Sequence, residues 1–243
     1  MQVRVIQLGT IPYLEALALQ RSAAAARLAG TIPDVLLLCE HPPVVTLGRS
    51  TKASNLTTTP AALAARGVEV HEVERGGDVT FHGAGQLVGY PILDLAGYRK
   101  DLHWYLRQLE RVLISALTHF DIPAEQRPGL TGVWTNGRKI ASIGVHARSW
   151  VTWHGFALNV TTDLSYFDLM VPCGISGVEM TSIARERPDA AVALTSDHVV
   201  GAFAEQFGAE MMSSSPELLA AAGAAASNEK PEHFARVLRA EML

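Results

Sequence analysis

Residues Gly132 to Val160 read GVWTNGRKIASIGVHARSWVTWHGFALNV, and three extended segments are expected within them, around Gly132 to Thr135, Lys139 to Ala147 and Trp150 to Val160. Asn136-Gly137 supplies two consecutive residues that tolerate positive φ, the strongest short-range signal for a hairpin between the first two segments. Working outward, Val3 to Leu8 is a further strand, and DVLLLC (Asp34 to Cys39) is an apolar run too short for a helix, hence a buried strand. His41-Pro42-Pro43 breaks that run, and Val44 to Leu47 resumes extended structure. VEVHEV (Val68 to Val73) alternates as a half-buried strand does. Val79 to His82 and Leu87 to Leu95 follow, the latter a central strand with a kink or an edge at Pro91.

The helices are grouped apart from the strands. Ile11 to Leu28 is Ala/Leu-rich with helical spacing, and Pro60 to Arg66 is a short helix closed by Gly67. Asp101 to Phe120 is the clearest helix, with Tyr105, Leu109, Val112, Leu113 and Leu117 on one stripe. Ser196 to Met211 is expected to be a late helix. Strands and helices without regular βαβ alternation define an α+β class rather than a doubly wound sheet. One catalytic domain over residues 1–212 is expected, then an Ala/Ser-rich extension, 213–243, with a short helix over Pro231 to Met242.

Composition narrows the function classes. A chain of 243 residues that is 48% hydrophobic can bury a sizeable core, which excludes wholesale disorder. Two cysteines, Cys39 and Cys173, cannot build a disulfide framework or a Cys-rich metal site. A formal charge of −4 argues against a generic nucleic-acid binder. MQVRVIQLGTIPYLEALALQ lacks the pattern of a secretory signal. The uncharged stretch Ser149 to Thr162 is too short and polar for a membrane span, which needs about 20 apolar residues. A cytoplasmic protein with free thiols and no membrane partner is the expectation.

Two local features can carry chemistry. The first is Arg75-Gly-Gly-Asp-Val-Thr-Phe-His82-Gly-Ala-Gly-Gln86, where four glycines in a short span allow close backbone approach or positive φ. Two tight turns would account for it equally well; it matches neither the phosphate-loop nor the dinucleotide pattern. The second is Pro172-Cys173-Gly174-Ile175, a turn that would expose a thiol to backbone N–H donors, as a nucleophile requires. A loop thiol without a role is the alternative. A nucleophilic thiol needs a neighbouring cation or imidazole, and the candidates are Lys139, His82, His146 and His154. Partial burial between a turn and an apolar strand would make Lys139 a tunable base, but on its own surroundings it reads first as a rim lysine.

Charge is unevenly distributed. From Gln126 through Thr162 there is no Asp or Glu, while Arg127, Arg138, Lys139 and Arg148 give the window +4; the remainder, with 16 basic and 24 acidic residues, carries −8. Such a face would steer an acidic partner, unless the pattern is chance in a β-rich segment.

Taken in order, the motifs resemble the lipoyl(octanoyl) transferase family. They are Glu40-His-Pro-Pro43, Arg75-Gly-Gly, His82-Gly-Ala-Gly-Gln-Leu-Val-Gly-Tyr-Pro-Ile92, Lys139-Ile-Ala-Ser-Ile-Gly144, His154-Gly-Phe-Ala-Leu-Asn-Val160, Pro172-Cys-Gly-Ile175 and Thr181-Ser-Ile183. The resemblance spans roughly residues 1–210, with Ala84 standing where the family usually has proline, which loosens that loop.

The resemblance implies an α+β fold with a mixed sheet and packed helices, similar to the biotin and lipoate protein ligases. It implies a dyad in which Cys173 forms an acyl-thioester and Lys139 lowers the thiol pKa. It also implies an octanoyl site formed by Arg75, Gly76, Gly77, Asp78, Val79, Thr80, Phe81 and His82, by Ser142, Ile143 and Gly144, and by Gly155, Phe156 and Ala157. The implied donor is octanoyl-acyl carrier protein, which carries phosphopantetheine. The implied acceptors are lipoyl domains of 2-oxoacid dehydrogenase complexes and the glycine cleavage H protein. No metal, ATP or other cofactor is expected, since thioester to amide is downhill. An ATP-dependent lipoate ligase and a lipoyl-protein amidotransferase are the rival activities. An oxyanion hole is expected near Gly174 and a turn at Ser142 to Gly144.

Overall fold

The computed structural model describes residues 1–174, 177–191 and 194–219, with Cys173 described by its backbone only. The expected terminal helix over Pro231 to Met242, most of the extension and Ile175 lie outside the described residues. In chain order the elements are β1 (Gln2–Thr10), α1 (Tyr13–Leu28), β2 (Asp34–Glu40), β3 (Val44–Leu47), α2 (Pro60–Ala64), β4 (Glu69–Glu72), β5 (Thr80–His82) and β6 (Gln86–Ile92). There follow α3 (Leu102–Thr118), β7 (Glu125–Arg127), β8 (Leu130–Thr135), β9 (Arg138–Arg148), β10 (Val151–Asn159), α4 (Ile183–Glu186), α5 (Thr195–Phe207) and β11 (Glu210–Ser214). Eight strands form a sheet in the order β11-β1-β2-β6-β10-β9-β8-β7, and β4-β3-β5 form a second, three-stranded sheet. Strand β1 runs parallel to both β2 and β11, and the other neighbours in the large sheet are antiparallel, so the sheet is mixed.

Strand β2 lies inside this sheet with helices on both faces, which is why its sequence is continuously apolar. Val35 and Leu37 pack on the side of α1, among Ala16, Ala23 and Ala26. Leu36 and Leu38 pack on the other side, with Tyr105, Leu109 and Val112 of α3 and Phe203 of α5. The alanines of α1 let that helix lie close to the sheet. Helix α3 starts where its sequence says it should, because Asp101 Oδ1 accepts a hydrogen bond from the Trp104 N–H at 3.0 Å, an N-cap. Among the described residues no helix is long and apolar enough to cross a membrane.

Three expectations need correction. The late helix stops at Phe207, where Gly208 turns left-handed (φ 59°), and Met211 belongs to β11, paired with Val3. Strand β11 also crosses the expected boundary after Met212, since Ser213 and Ser214 pair with Val5 and Ile6. Pro91 sits in an interior strand, opposite Leu36, with no sheet edge there. The ladder from β6 to β10 ends at Gly89. Beyond it Thr152 Oγ1 donates to the Pro91 carbonyl (2.9 Å) and accepts from the Leu93 N–H (3.1 Å), so the ring's missing N–H leaves no gap.

Candidate active site

A cavity of about 280 Å³ lies between the two sheets, on the α1 side of the larger one. Its wall combines Arg75, Gly77 and Asp78 of the glycine-rich loop, Thr80 and His82 of β5, Lys139, Ser142, Ile143 and Gly144 of β9, and Gly155, Phe156 and Ala157 of β10. Twelve of the residues expected at the site thus share one space. Three others do not face it. Val79 and Phe81 are buried in a separate core with Val45 and Leu63, and Phe81 stacks on Tyr166 at 4.4 Å. Gly76 instead donates its N–H to the Val145 carbonyl at 2.9 Å, which ties the loop to the free edge of β9.

Lys139 is 1% exposed, on a strand in the sheet interior. Its N–H donates to the Glu179 carbonyl (2.8 Å), its carbonyl accepts from the Thr181 N–H (2.9 Å), and its Nζ is 5.6 Å from the Trp134 ring centroid. The side chain runs over Gly132 (φ 131°), where a Cβ would lie 2.6 Å from Lys139 Cε and 2.7 Å from the Ala141 carbonyl. Only glycine fits that strand position. A position on the rim, the reading from its local sequence alone, does not match this burial.

Cys173 lies in a short 3-10 turn, Pro172–Gly174. Gly174 takes φ 67°, and a Cβ there would collide with Asp78 Oδ2 and come within 3.0 Å of Asn55 Nδ2. The turn's backbone therefore lies against Asp78, which faces the same cavity as Lys139. Cys39, in contrast, is a core residue, its thiol pushed up to about 12 by burial and by Glu40, beyond the reach of ordinary thiolate chemistry.

Burial disfavours the charged form of each candidate imidazole. Burial, then the charges of His41 and Arg75, push His82 down to about 3. Burial also lowers His146 and His154. The tautomer of His82 follows from its neighbours. Gln86 Nε2 donates to the Phe81 carbonyl (3.2 Å) and to Asn159 Oδ1 (2.9 Å), so Gln86 Oε1 faces His82 Nδ1 at 2.8 Å and must accept from it. Asn159 Nδ2 then donates to the Thr181 carbonyl at 3.0 Å, and the Thr181 N–H bonds Lys139. This polar chain fastens the cavity's His82 to the backbone that carries the lysine. Arg75, 7% exposed, donates from Nη2 to the Thr46 carbonyl (2.7 Å) and hydroxyl (2.8 Å), so part of its guanidinium braces β3.

Two further expectations change. Ser142 to Gly144 is no turn but the middle of β9, paired with Ala157, Phe156 and Gly155. Gly144 and Gly155 are crowded by backbone, the Gly76 carbonyl lying 2.7 Å from a Cβ on the first and the Gly89 carbonyl against a Cβ on the second. The acid-free window carries less open charge than its count, since Arg138 forms a two-pronged pair with Glu186 (2.8 and 2.9 Å) and Arg127 meets Glu125 at 3.3 Å.

Tyr13, Val88, Tyr90, Gly129, Leu130, Thr131 and His154 also face the cavity and were not expected in the acyl site. Val88 and Tyr90 could have been found from the period of two along β6, which puts them on one face. Tyr13 opens α1 and is indistinguishable in sequence from core. His154 holds φ 55°, a kink that no local pattern announces.

A buried lysine in the wall of a cavity, with the backbone of a cysteine turn against Asp78 of the same wall, thus sits on a mixed sheet packed by helices. Residues 12–208 match the model of the lipoyl protein ligase A/B catalytic domain. The chain is 49% identical over 207 residues to an octanoyltransferase of Gloeobacter violaceus, covering 85% of this chain and 90% of the relative. It is 48% identical to an octanoyltransferase of Nostoc sp., covering 85% and 92%. In fold it is similar to lipoate-protein ligase A bound with ATP (TM-score 0.75, 14% identity, 95% and 96% covered). A weaker likeness joins it to biotin protein ligase from Aquifex aeolicus (TM-score 0.52, 11% identity, 86% and 71% covered). The chain belongs to the octanoyltransferases of the lipoyl protein ligase A/B catalytic domain family, and is an acyltransferase.

Proposed function

We propose that the protein transfers an octanoyl group from octanoyl-acyl carrier protein to a specific lysine of lipoyl domains, through a thioester on Cys173. The acceptors are the lipoyl domains of 2-oxoacid dehydrogenase complexes and the glycine cleavage H protein. The observation that carries this reading is Lys139, fully buried yet lining a cavity whose wall includes Asp78, against which the backbone of the Cys173 turn lies.

The resting dyad is a Cys173 thiolate beside a Lys139 ammonium, an ion pair that favours the reactive form of sulfur. The thiolate attacks the donor carbonyl, forming a carbon–sulfur bond. The tetrahedral intermediate collapses, the bond to the pantetheine sulfur breaks, and Lys139 gives that sulfur its proton. The acceptor lysine then enters as a neutral amine and attacks the Cys173 thioester. Its surplus proton passes to Lys139 as the cysteine sulfur leaves, which regenerates the starting ion pair. Backbone N–H groups near Gly174 are candidates for the oxyanion. No ATP, metal or other cofactor enters, because conversion of a thioester to an amide is downhill.

The acyl chain fits the direction of the cavity. From Lys139 on β9 it crosses β10 to Val88 and Tyr90 on β6, two strand spacings or roughly 10 Å. That is comparable to the reach of an extended eight-carbon chain. The test is transfer to a lipoyl-domain lysine from octanoyl-acyl carrier protein with no nucleotide present. Transfer from free octanoate that requires ATP would instead make the protein a ligase.

A further inference from the structure

We infer that Asn55 is a positioning residue for the nucleophile, acting with Asp78 as a clamp that seats the Cys173 turn against the cavity; the inference rests on the reading of Cys173 as the acyl-carrying thiol. The two halves of the dyad reach the site by different routes. Lys139 is carried by a strand inside the large sheet and is bonded through its backbone to residues 179 and 181. Cys173 comes on a short turn outside any sheet, so its register relative to Lys139 depends on what the turn rests on.

It rests on Asn55. The Asn55 carbonyl accepts from the Val171 N–H at 2.7 Å, just before the turn. The Asn55 side chain donates from Nδ2 to Asp78 Oδ2 at 2.6 Å, and the same two atoms occupy the space that a Cβ on Gly174, just after the cysteine, would need. Asp78 is fixed in turn, because its Oδ1 accepts from the Val79 N–H at 2.6 Å. The segment that carries Asn55 is anchored on the glycine-rich loop by Arg49 N–H to the Arg75 carbonyl and Ser50 N–H to the Gly77 carbonyl, both 3.0 Å. Three loops distant in sequence, 48–55, 75–78 and 171–174, thus meet at one side chain.

The clamp has an electrostatic side as well. A carboxylate next to a thiolate opposes ionisation of the thiol. With one oxygen bonded to the Asn55 amide and the other to a backbone N–H, the charge of Asp78 is partly absorbed. Removing the Asn55 amide both loosens the turn and uncovers that charge. A purely structural brace would do only the first.

The test compares wild type, Asn55→Ala and the double exchange Asn55→Asp with Asp78→Asn, which rebuilds the hydrogen bond with donor and acceptor reversed. Each is mixed with octanoyl-acyl carrier protein, and acylation of Cys173 is followed by intact mass and peptide mapping. In parallel, the pH dependence of Cys173 alkylation by iodoacetamide is recorded, with thermal unfolding as a check of folding. Asn55→Ala should slow acylation by on the order of ten- to a hundredfold with little change in donor KM, and should move the alkylation midpoint to higher pH. The double exchange should recover most of both. Wild-type acylation by Asn55→Ala, or slowing with an unmoved pH midpoint and no recovery in the exchange, would overturn the clamp. Absence of a Cys173 adduct in wild type itself would instead overturn the reading of the nucleophile on which the clamp stands.

Discussion

The deep end and the mouth of the cavity are built by opposite means. The deep end is sheet: Val88 and Tyr90 of β6 and Phe156 and Ala157 of β10, held by antiparallel ladders, with α1 packed on the same face of the sheet. The mouth is loops, in which Asn55, Asp78 and Gly174 hold one another by single contacts. Lys139, the proposed proton carrier, joins them from the rigid side. A sheet floor suits a group that must be measured, since its width cannot adapt. A loop mouth suits a group that must meet two large partners in turn. Changes in the floor should therefore alter which acyl chain is taken, and changes at the mouth how fast it is transferred.

The strongest way to break this division is at the point where the halves join. Lys139→Met keeps the length and apolar stem of the side chain but removes the proton carrier. It should lower kcat by roughly 10²- to 10⁴-fold with a smaller change in donor KM, measured by steady-state transfer to a lipoyl domain. A loss confined to KM would mean that Lys139 only binds substrate.

Next in size is an effect on stability. His82 is held at about 3 against an ordinary 6.5, so between those values the unfolded chain binds the proton that the folded one refuses. The stability due to its neutral form is complete above 6.5 and is lost as pH falls toward 3. Lowering the pH from 6.5 to 5 should cost about 2 kcal/mol through His82 alone. His41, His146 and His154, lowered mainly by burial, add to the same trend. Glu110, raised by burial, works in the other direction. Urea unfolding at a series of pH values should show the decline, and His82→Gln should flatten it. An equal slope in that variant would contradict the buried neutral imidazole.

A change in the floor sharpens the comparison from the other side. Val88→Ala removes two methyl groups at the far end of the cavity. At about 0.8 kcal/mol per methylene it should favour a donor two carbons longer by about tenfold in kcat/KM relative to octanoyl, with kcat for octanoyl nearly unchanged. Competition between the two thioesters reads the ratio directly.

The smallest effect is expected at the surface. Because Arg138 is engaged by Glu186, the half-exposed Arg148 is the better probe of steering by the acid-free stretch. Arg148→Glu should reduce turnover a few-fold at low salt and flatten its salt dependence. Unchanged rates at every ionic strength would dismiss that stretch as a docking face.

Much of the floor was legible in the sequence because it is local. Asn136-Gly137 fixes the turn between β8 and β9, Asp101 caps α3, and the unbroken apolar run of β2 announces helices on both faces. The order of the motifs, from Arg75-Gly-Gly to Pro172-Cys-Gly, was enough to bring twelve of the expected residues to one cavity. What escaped depends on partners far away in the chain. Strand β11 has no period of its own and exists because β1 offers an edge some 208 residues earlier. Tyr13 faces the site only because α1 crosses the sheet there. The Asn55 clamp had no signal at all, since an asparagine in a Ser/Thr-rich loop looks like any turn residue. At Gly144 and Gly155 the crowding is by distant backbone, which cannot be told from crowding by ligand in a single sequence.

The central claim is that Cys173 carries the acyl group. Its most direct test is the intact mass of the protein after brief mixing with octanoyl-acyl carrier protein in the absence of any acceptor. Wild type should gain the mass of one octanoyl group, lost again on addition of a lipoyl domain, and Cys173→Ser should gain none that the lipoyl domain can remove. A wild-type protein that turns over yet never carries the group, or a serine variant acylated and discharged at the wild-type rate, would contradict it.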